Sequence, residues 1–279
     1  MRLRQLGHAE AALTEGLQDV APRRIRQRGE HAVEHHLLIL NHKVKYQPAR
    51  PAVSRCGPMA ARRRFARRED LGLTKAEFAV LRRLDSPQKI QQFLFGLRQN
   101  FEPDGDTCHP VRRVLRTRRA HCIEGAMLAA AALWVHGEPP LLLDMRAVRD
   151  FDHVVALFRR RGRWGAISKT NGIGLRWRDP VYRTLRELAI SYFHEYCNRR
   201  DHKTLREYSL PFDLRRADPH LWAGGEKNVW VVPETLDALR HFPLMNGHHL
   251  KAVARRDPFE RKAGELLQYR GPLPRKRKK

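Results

Sequence analysis

Arg119-Ala120-His121-Cys122-Ile123-Glu124-Gly125-Ala126 opens a stretch that runs on, alanine-rich and apolar nearly all round, to Val135. A helix of that composition offers no polar face to water, so 122–135 is predicted to be a buried helix. His136-Gly137-Glu138-Pro139-Pro140 stops it, with glycine just past the last turn and prolines that cannot continue it. The helix begins at a cysteine. Backbone N–H groups and the helix dipole at that end favour thiolate over thiol, and Arg118, Arg119 and His121 add positive charge. The same N–H groups suit the oxyanion of an acyl-transfer transition state. Cys122 is the candidate nucleophile, and a thiol nucleophile needs a base.

Downstream lie three strand candidates, Leu141 to Met145, His153 to Phe158 and Trp164 to Ser168. His153 heads the middle one, a polar ring at the end of an apolar strand, and is the candidate base. The gap of 153 − 122 = 31 residues holds one helix, a turn, one strand and a return. Arg160-Arg161-Gly162-Arg163 is predicted to be a hairpin joining the last two strands. If Arg161-Gly162 is a two-residue turn, residue 160 pairs with 163, and Ser168 and Thr170 lie on the His153 face. A loop one residue longer brings Asn171 round instead. The group that orients His153 is therefore Ser168 or Asn171, with Asp150 and Asp152 from the neighbouring loop as further choices.

The run from Arg119 to Ala126, followed by the alanine-rich helix and Gly137-Glu138-Pro139-Pro140, resembles the nucleophile segment of the transglutaminase-like superfamily. Asp152-His153-Val154-Val155 resembles that family's histidine strand. Arg163-Trp164-Gly165-Ala166-Ile167-Ser168-Lys169-Thr170 resembles the strand that follows. The resemblance covers roughly residues 110–171. It implies an α+β fold with a papain- or transglutaminase-like core: a helix bearing Cys packed on an antiparallel sheet bearing His, with flanking helices. It also implies a cysteine enzyme that attacks an amide or peptide bond, with no cofactor and no metal. Ser168 stands where the family has an aspartate, and Asn171 would make a Cys-His-Asn arrangement instead.

Outward from this core, Thr74-Lys75-Ala76-Glu77 is a capping box opening a helix through Leu84. Ser86-Pro87 starts a second, with Ile90, Phe93, Leu94 and Leu97 at helical spacing. Residues 100–106 read as a loop and 110–118 as a short basic helix. Asp179-Pro180 is predicted to cap a helix to about Tyr196, with Val181, Leu185, Leu188 and Tyr192 on one face. Beyond 200 the chain reads as irregular, with a strand at Val229 to Val232 and a helix at Pro233 to Arg240. Residues 1–58 lack a sustained period and are expected to be a poorly ordered extension, with Met59 as a possible true start. The domain is expected over 59–245, and 246–279 as an extension ending in a disordered basic tail.

Hydrophobic residues make up 42% of the 279, enough for a packed core in part of the chain. No apolar run is long enough to span a bilayer, and the N-terminus lacks a signal core, so a soluble cytoplasmic protein without membrane contact is expected. Four scattered cysteines with no CxxC pairing do not make a disulfide framework. Cys56, Cys108 and Cys197 read as small core residues. Cys108-His109 with His121-Cys122 lacks the spacing of zinc knuckles. Glu124 reads as a packing or salt-bridge residue. The net charge of +25 permits a rival reading: a catalytically impaired basic module on the same fold, contacting nucleic acid or an acidic protein through its Arg clusters.

Overall fold

A computed structural model of the chain describes residues 64–271. The expectations for 1–58, for a start at Met59 and for the tail past Gly271 lie outside the described residues. In chain order the elements are α1 (Lys75–Arg83), α2 (Pro87–Phe95), β1 (Arg98–Gln99), α3 (Val111–Thr117), β2 (Arg119–Ala120) and α4 (Cys122–Val135). Then come β3 (Leu141–Ala147), β4 (His153–Arg160), β5 (Arg163–Ile167), β6 (Arg178–Tyr182), α5 (Leu185–Ile190), β7 (Leu205–Ser209) and β8 (Phe212–Asp213). Last are α6 (Pro219–Trp222), α7 (Val231–Ala238), β9 (His241–Pro243), α8 (Gly247–Lys251) and α9 (Pro258–Gly264). The fold is α+β. The main sheet runs β6-β5-β4-β3-β7-β9, with β8 also on β3, and every pairing in it is antiparallel.

Helix α4 is the centre of the molecule's larger core, and all its residues from Ile123 to Val135 are buried. It lies against one face of the sheet, sharing an apolar cluster with Leu142, Val154, Ala156, Phe158 and Ile167. Helices α1, α2 and α3 pack around it through Leu81, Ile90, Leu94, Val111 and Val114. Full coverage of a side chain such as Leu128 contributes roughly 1.5–3 kcal/mol, which explains why the segment tolerates no polar face. The opposite face of the sheet, with Leu143, Met145, Val155, Leu157 and Ala166, is closed by Leu188, Ala189, Tyr192, Phe193 and Tyr196.

The hairpin between β4 and β5 has a two-residue turn. Arg161 and Gly162 take φ of 45° and 78°, and the pairs run from Arg160↔Arg163 to Ala156↔Ile167. Positive φ at both central positions matches the right-handed strand twist, and glycine at the second adopts it freely.

Three expectations are corrected. The helix predicted from Asp179-Pro180 begins instead at Leu185, where Thr184 accepts from the Glu187 N–H at 3.1 Å. Asp179 is engaged by the Trp177 indole N–H at 2.8 Å, and residues 178–182 form the edge strand β6. Proline is tolerated on an edge, where no neighbour needs its N–H. Val181 consequently faces water, 63% exposed. The strand predicted at Val229 to Val232 is in part the first turn of α7, because Val232 packs inward with Leu236 at helical spacing. The stretch beyond 200 also holds β7, β8 and β9. β7 has no strict burial alternation, which is why a period of two does not reveal it.

Candidate active site

Cys122 is the first residue of α4 and is partly exposed, while His153 is the first residue of β4 and is 5% exposed. Along β4, Val155 and Leu157 belong to the face away from α4. His153 has their parity, yet its ring hydrogen-bonds Cys122. A residue at the end of a strand is not held to one face as interior residues are.

Ser168 is fully buried one residue past β5. Its Oγ lies 2.8 Å from His153 Nε2 and donates to the Leu175 carbonyl at 2.5 Å. A hydroxyl has one proton, so toward His153 Ser168 acts as an acceptor. The ring proton therefore sits on Nε2, and Nδ1 is left for the sulfur. The tautomer that a carboxylate would normally impose is imposed here by a serine whose own proton is pinned to a carbonyl. Leu175 presents that carbonyl from a left-handed backbone (φ 57°), with its N–H held by Glu195 at 2.6 Å. Gln91 of α2 fixes the serine itself: its Oε1 accepts from Ser168 N at 2.9 Å and its Nε2 donates to Ser168 O at 2.8 Å.

The other candidates have different partners. The Asn171 amide forms a reciprocal pair with the Tyr269 backbone, 2.9 Å in each direction. Asp150 accepts from Thr204 Oγ1 at 2.7 Å, and Asp152 from the Ala147 N–H at 2.7 Å. The structure thus brings Cys122, His153 and Ser168 together and engages Asn171, Asp150 and Asp152 elsewhere.

His121 is also hydrogen-bonded to Cys122. Behind it is Glu124, fully buried at the third position of α4. Its carboxylate accepts from the backbone N–H groups of His109 at 2.8 Å and His121 at 2.9 Å. It also accepts from Thr107 Oγ1 and Asn100 Nδ2, each at 3.1 Å. Burial works to raise its acid, but the charge of His121 and the backbone N–H bonds from His109 and His121 outweigh it and lower the acid. Gln91, Asn100, Thr107 and the Leu175 carbonyl were not nominated from sequence. Glu124 was, as a packing or salt-bridge residue, and it is paired with His109 and His121 at 3.3 Å each. Its place three residues into a helix, behind a polar cap residue, is the one local sign of its bond to the His121 N–H.

Burial alone would push the Cys122 thiol up; hydrogen bonds from His121 and then His153 outweigh it and bring the thiol down to about 5. A thiolate at neutral pH follows. Cys108 is buried and its thiol is pushed far up, chiefly by desolvation, so it is inert. Cys197 is only partly buried, and its Sγ donates to the His194 carbonyl at 3.4 Å.

The sequence matches no protein-family model and no curated protein. Among the described residues, the metal-competent oxygens that converge belong to Asp144, Asp152 and Asp237. Asp144 there is paired with His241 Nε2 at 3.0 Å. No helix among the described residues is long and apolar enough to cross a membrane.

Proposed function

We propose that this chain is a cysteine-dependent acyl-transfer enzyme of transglutaminase-like or papain-like design, acting on an amide or peptide bond. The observation that carries the reading is an acidic thiol at a helix start, next to a histidine whose tautomer leaves Nδ1 for the sulfur. The Cys122 thiolate adds to the carbonyl carbon. The first-turn N–H groups of α4, which no helical carbonyl can reach, stabilise the developing oxyanion. His153 takes the Cys122 thiol proton on Nδ1 as the thiolate forms; it then gives that proton to the leaving nitrogen, and the thioester forms as the C–N bond breaks. A water molecule then loses a proton to Nδ1 as its oxygen attacks the thioester, releasing the acid and restoring the thiolate. An amine in place of water gives transamidation by the same steps.

The test is alkylation by iodoacetamide at pH 6, followed by intact mass, together with turnover of a mixed peptide-amide and ester library. Selective labelling of Cys122 in the native chain, with turnover lost in His153→Ala, is the expected result. Labelling at pH 6 no faster than that of an unfolded thiol removes the proposal.

A further inference from the structure

Cys122 has two imidazole neighbours, and their surroundings differ in kind. The Nε2 of His153 meets a hydroxyl. The Nε2 of His121 meets three acceptors: the Thr107 carbonyl at 3.0 Å, Glu124 Oε1 at 3.3 Å and Glu102 Oε1 at 3.6 Å. Three acceptors around one ring nitrogen demand a proton there, and the same ring hydrogen-bonds the Cys122 side chain. A ring placed between two carboxylates and a thiolate is favoured as the cation. We infer that His121 is a fixed imidazolium that keeps the free Cys122 sulfur ionised before acylation and after hydrolysis, leaving His153 free to be the proton carrier. The inference rests on the proposed acyl-transfer reading and assigns a positioning residue within it.

The roles divide for a physical reason. Glu124 is wholly buried and holds two backbone N–H bonds besides the two side-chain donors, so it cannot turn away from His121. The Glu124–His121 pair is neutral as a unit, and its imidazolium is opposed by a carboxylate whatever the state of the sulfur. The charged groups acting on His121 are Cys122 and Glu124 from α4 and Glu102 from the loop before α3; His109 and Cys108 are further titratable groups of the cluster, and His153 shares the Cys122 thiol. Burial lowers His109, which favours its neutral ring. Desolvation works against the cation at His121, but the bond to Cys122 and the field of Glu124 raise it to about 10. His153 has no carboxylate on its Nε2, so its proton is free to leave for the amine and to return from water. Through this cycle His121 gains and loses nothing.

The experiment is the pH dependence of Cys122 alkylation by iodoacetamide, read by intact mass on the full chain, in wild type, His121→Asn and His153→Asn. His153→Asn should raise the midpoint by less than His121→Asn does, while abolishing turnover. His121→Asn should raise the midpoint by roughly one unit or more. An unchanged midpoint in His121→Asn, or an equal rise in His153→Asn, overturns the inference. Should His121→Asn fail to fold, the imidazole carbon and nitrogen shifts of His121 in wild type decide. Imidazolium persisting at pH 8 supports the assignment, and a neutral ring there refutes it. An acidic thiol insensitive to His121 sinks this inference alone, whereas a thiol titrating in the ordinary range sinks the proposed function as well.

Discussion

At the scale of single residues, the orienting group is set by where one proton goes. Ser168 accepts from His153 because its own proton is held by the Leu175 carbonyl. A carboxylate in its place would still accept from His153 but would set an oxygen against that carbonyl with no proton between them. Ser168→Asp should therefore lose about 1–3 kcal/mol of stability at pH 7, the usual effect of an unmet buried acceptor. The new acid would have a raised pKa in the folded state, so the deficit should shrink as pH falls toward 5 and grow as pH rises. Urea denaturation at both pH values checks this.

The Cys122–His121 pair makes a second residue-scale prediction. Cys122 is lowered from 9.0 to about 5, so between those values the folded state binds fewer protons than the unfolded one, and stability rises with pH. His121 is raised from 6.5 to about 10, so across that range the sign is reversed and stability falls with pH. Together they give a rise from about 5 to 6.5, a level stretch to about 9 and a fall toward 10. Wild type measured against a Cys122→Ala/His121→Gln double variant, by denaturant melts across that range, should show this shape. A monotonic difference would contradict it.

At the scale of elements, the close approach of α4 to the segment after β5 holds the site together. A Cβ on Gly125 would stand 2.5 Å from Lys169 Cβ, a contact between two groups fixed to backbone. Replacing a helical glycine by alanine normally gains about 1 kcal/mol. Overpacking of this kind costs about 1–3 kcal/mol. Gly125→Ala should come out destabilising, and because Ser168 precedes Lys169, Cys122 alkylation at pH 6 should slow as well. Thermal melting together with that rate is the check; a more stable protein with unchanged alkylation would show that the segment yields freely. Gln91 acts on the same segment from α2, closing both backbone groups of Ser168 across 77 residues of sequence.

At the scale of the whole molecule, residues near the C-terminal end of the described chain return to the core. The Gln268 N–H donates to the Asn171 carbonyl at 2.8 Å, its side chain donates to the Phe95 carbonyl at 2.8 Å, and the Tyr269 hydroxyl reaches that carbonyl at 3.2 Å. Beneath Tyr269, with its Nζ 5.3 Å from the ring centroid, lies Lys169. It is 1% exposed, and its ammonium has no hydrogen-bond partner among the described residues. Burial, then Arg176, pushes this amine down to about 8. Removing residues 266–279 should uncover it, and a partly deprotonated amine reacts readily with an N-hydroxysuccinimide ester at pH 7.5. Peptide mapping should find Lys169 labelled in the truncated protein and protected in the full chain; equal labelling would mean the segment does not cover it.

What was legible in the sequence is what short-range physics dictates. The all-round apolar run made α4 a buried helix with Cys122 at its start. The Arg161-Gly162 turn set a register that, carried one step beyond the last pair, puts Ser168 opposite Val155. Thr74 and Ser86 marked their helices as caps. Asp179-Pro180 misled because the same dipeptide fits a helix start and an edge strand, and pairing with β5 settled it. The partners of the catalytic candidates were decided by tertiary structure alone. Glu124 gathers donors from positions 100, 107 and 109, Gln91 reaches Ser168, and Tyr269 engages the Asn171 amide. A buried polar group must be satisfied by whatever the folded chain brings within about 3 Å of it, and no local pattern of residues encodes which segments those will be.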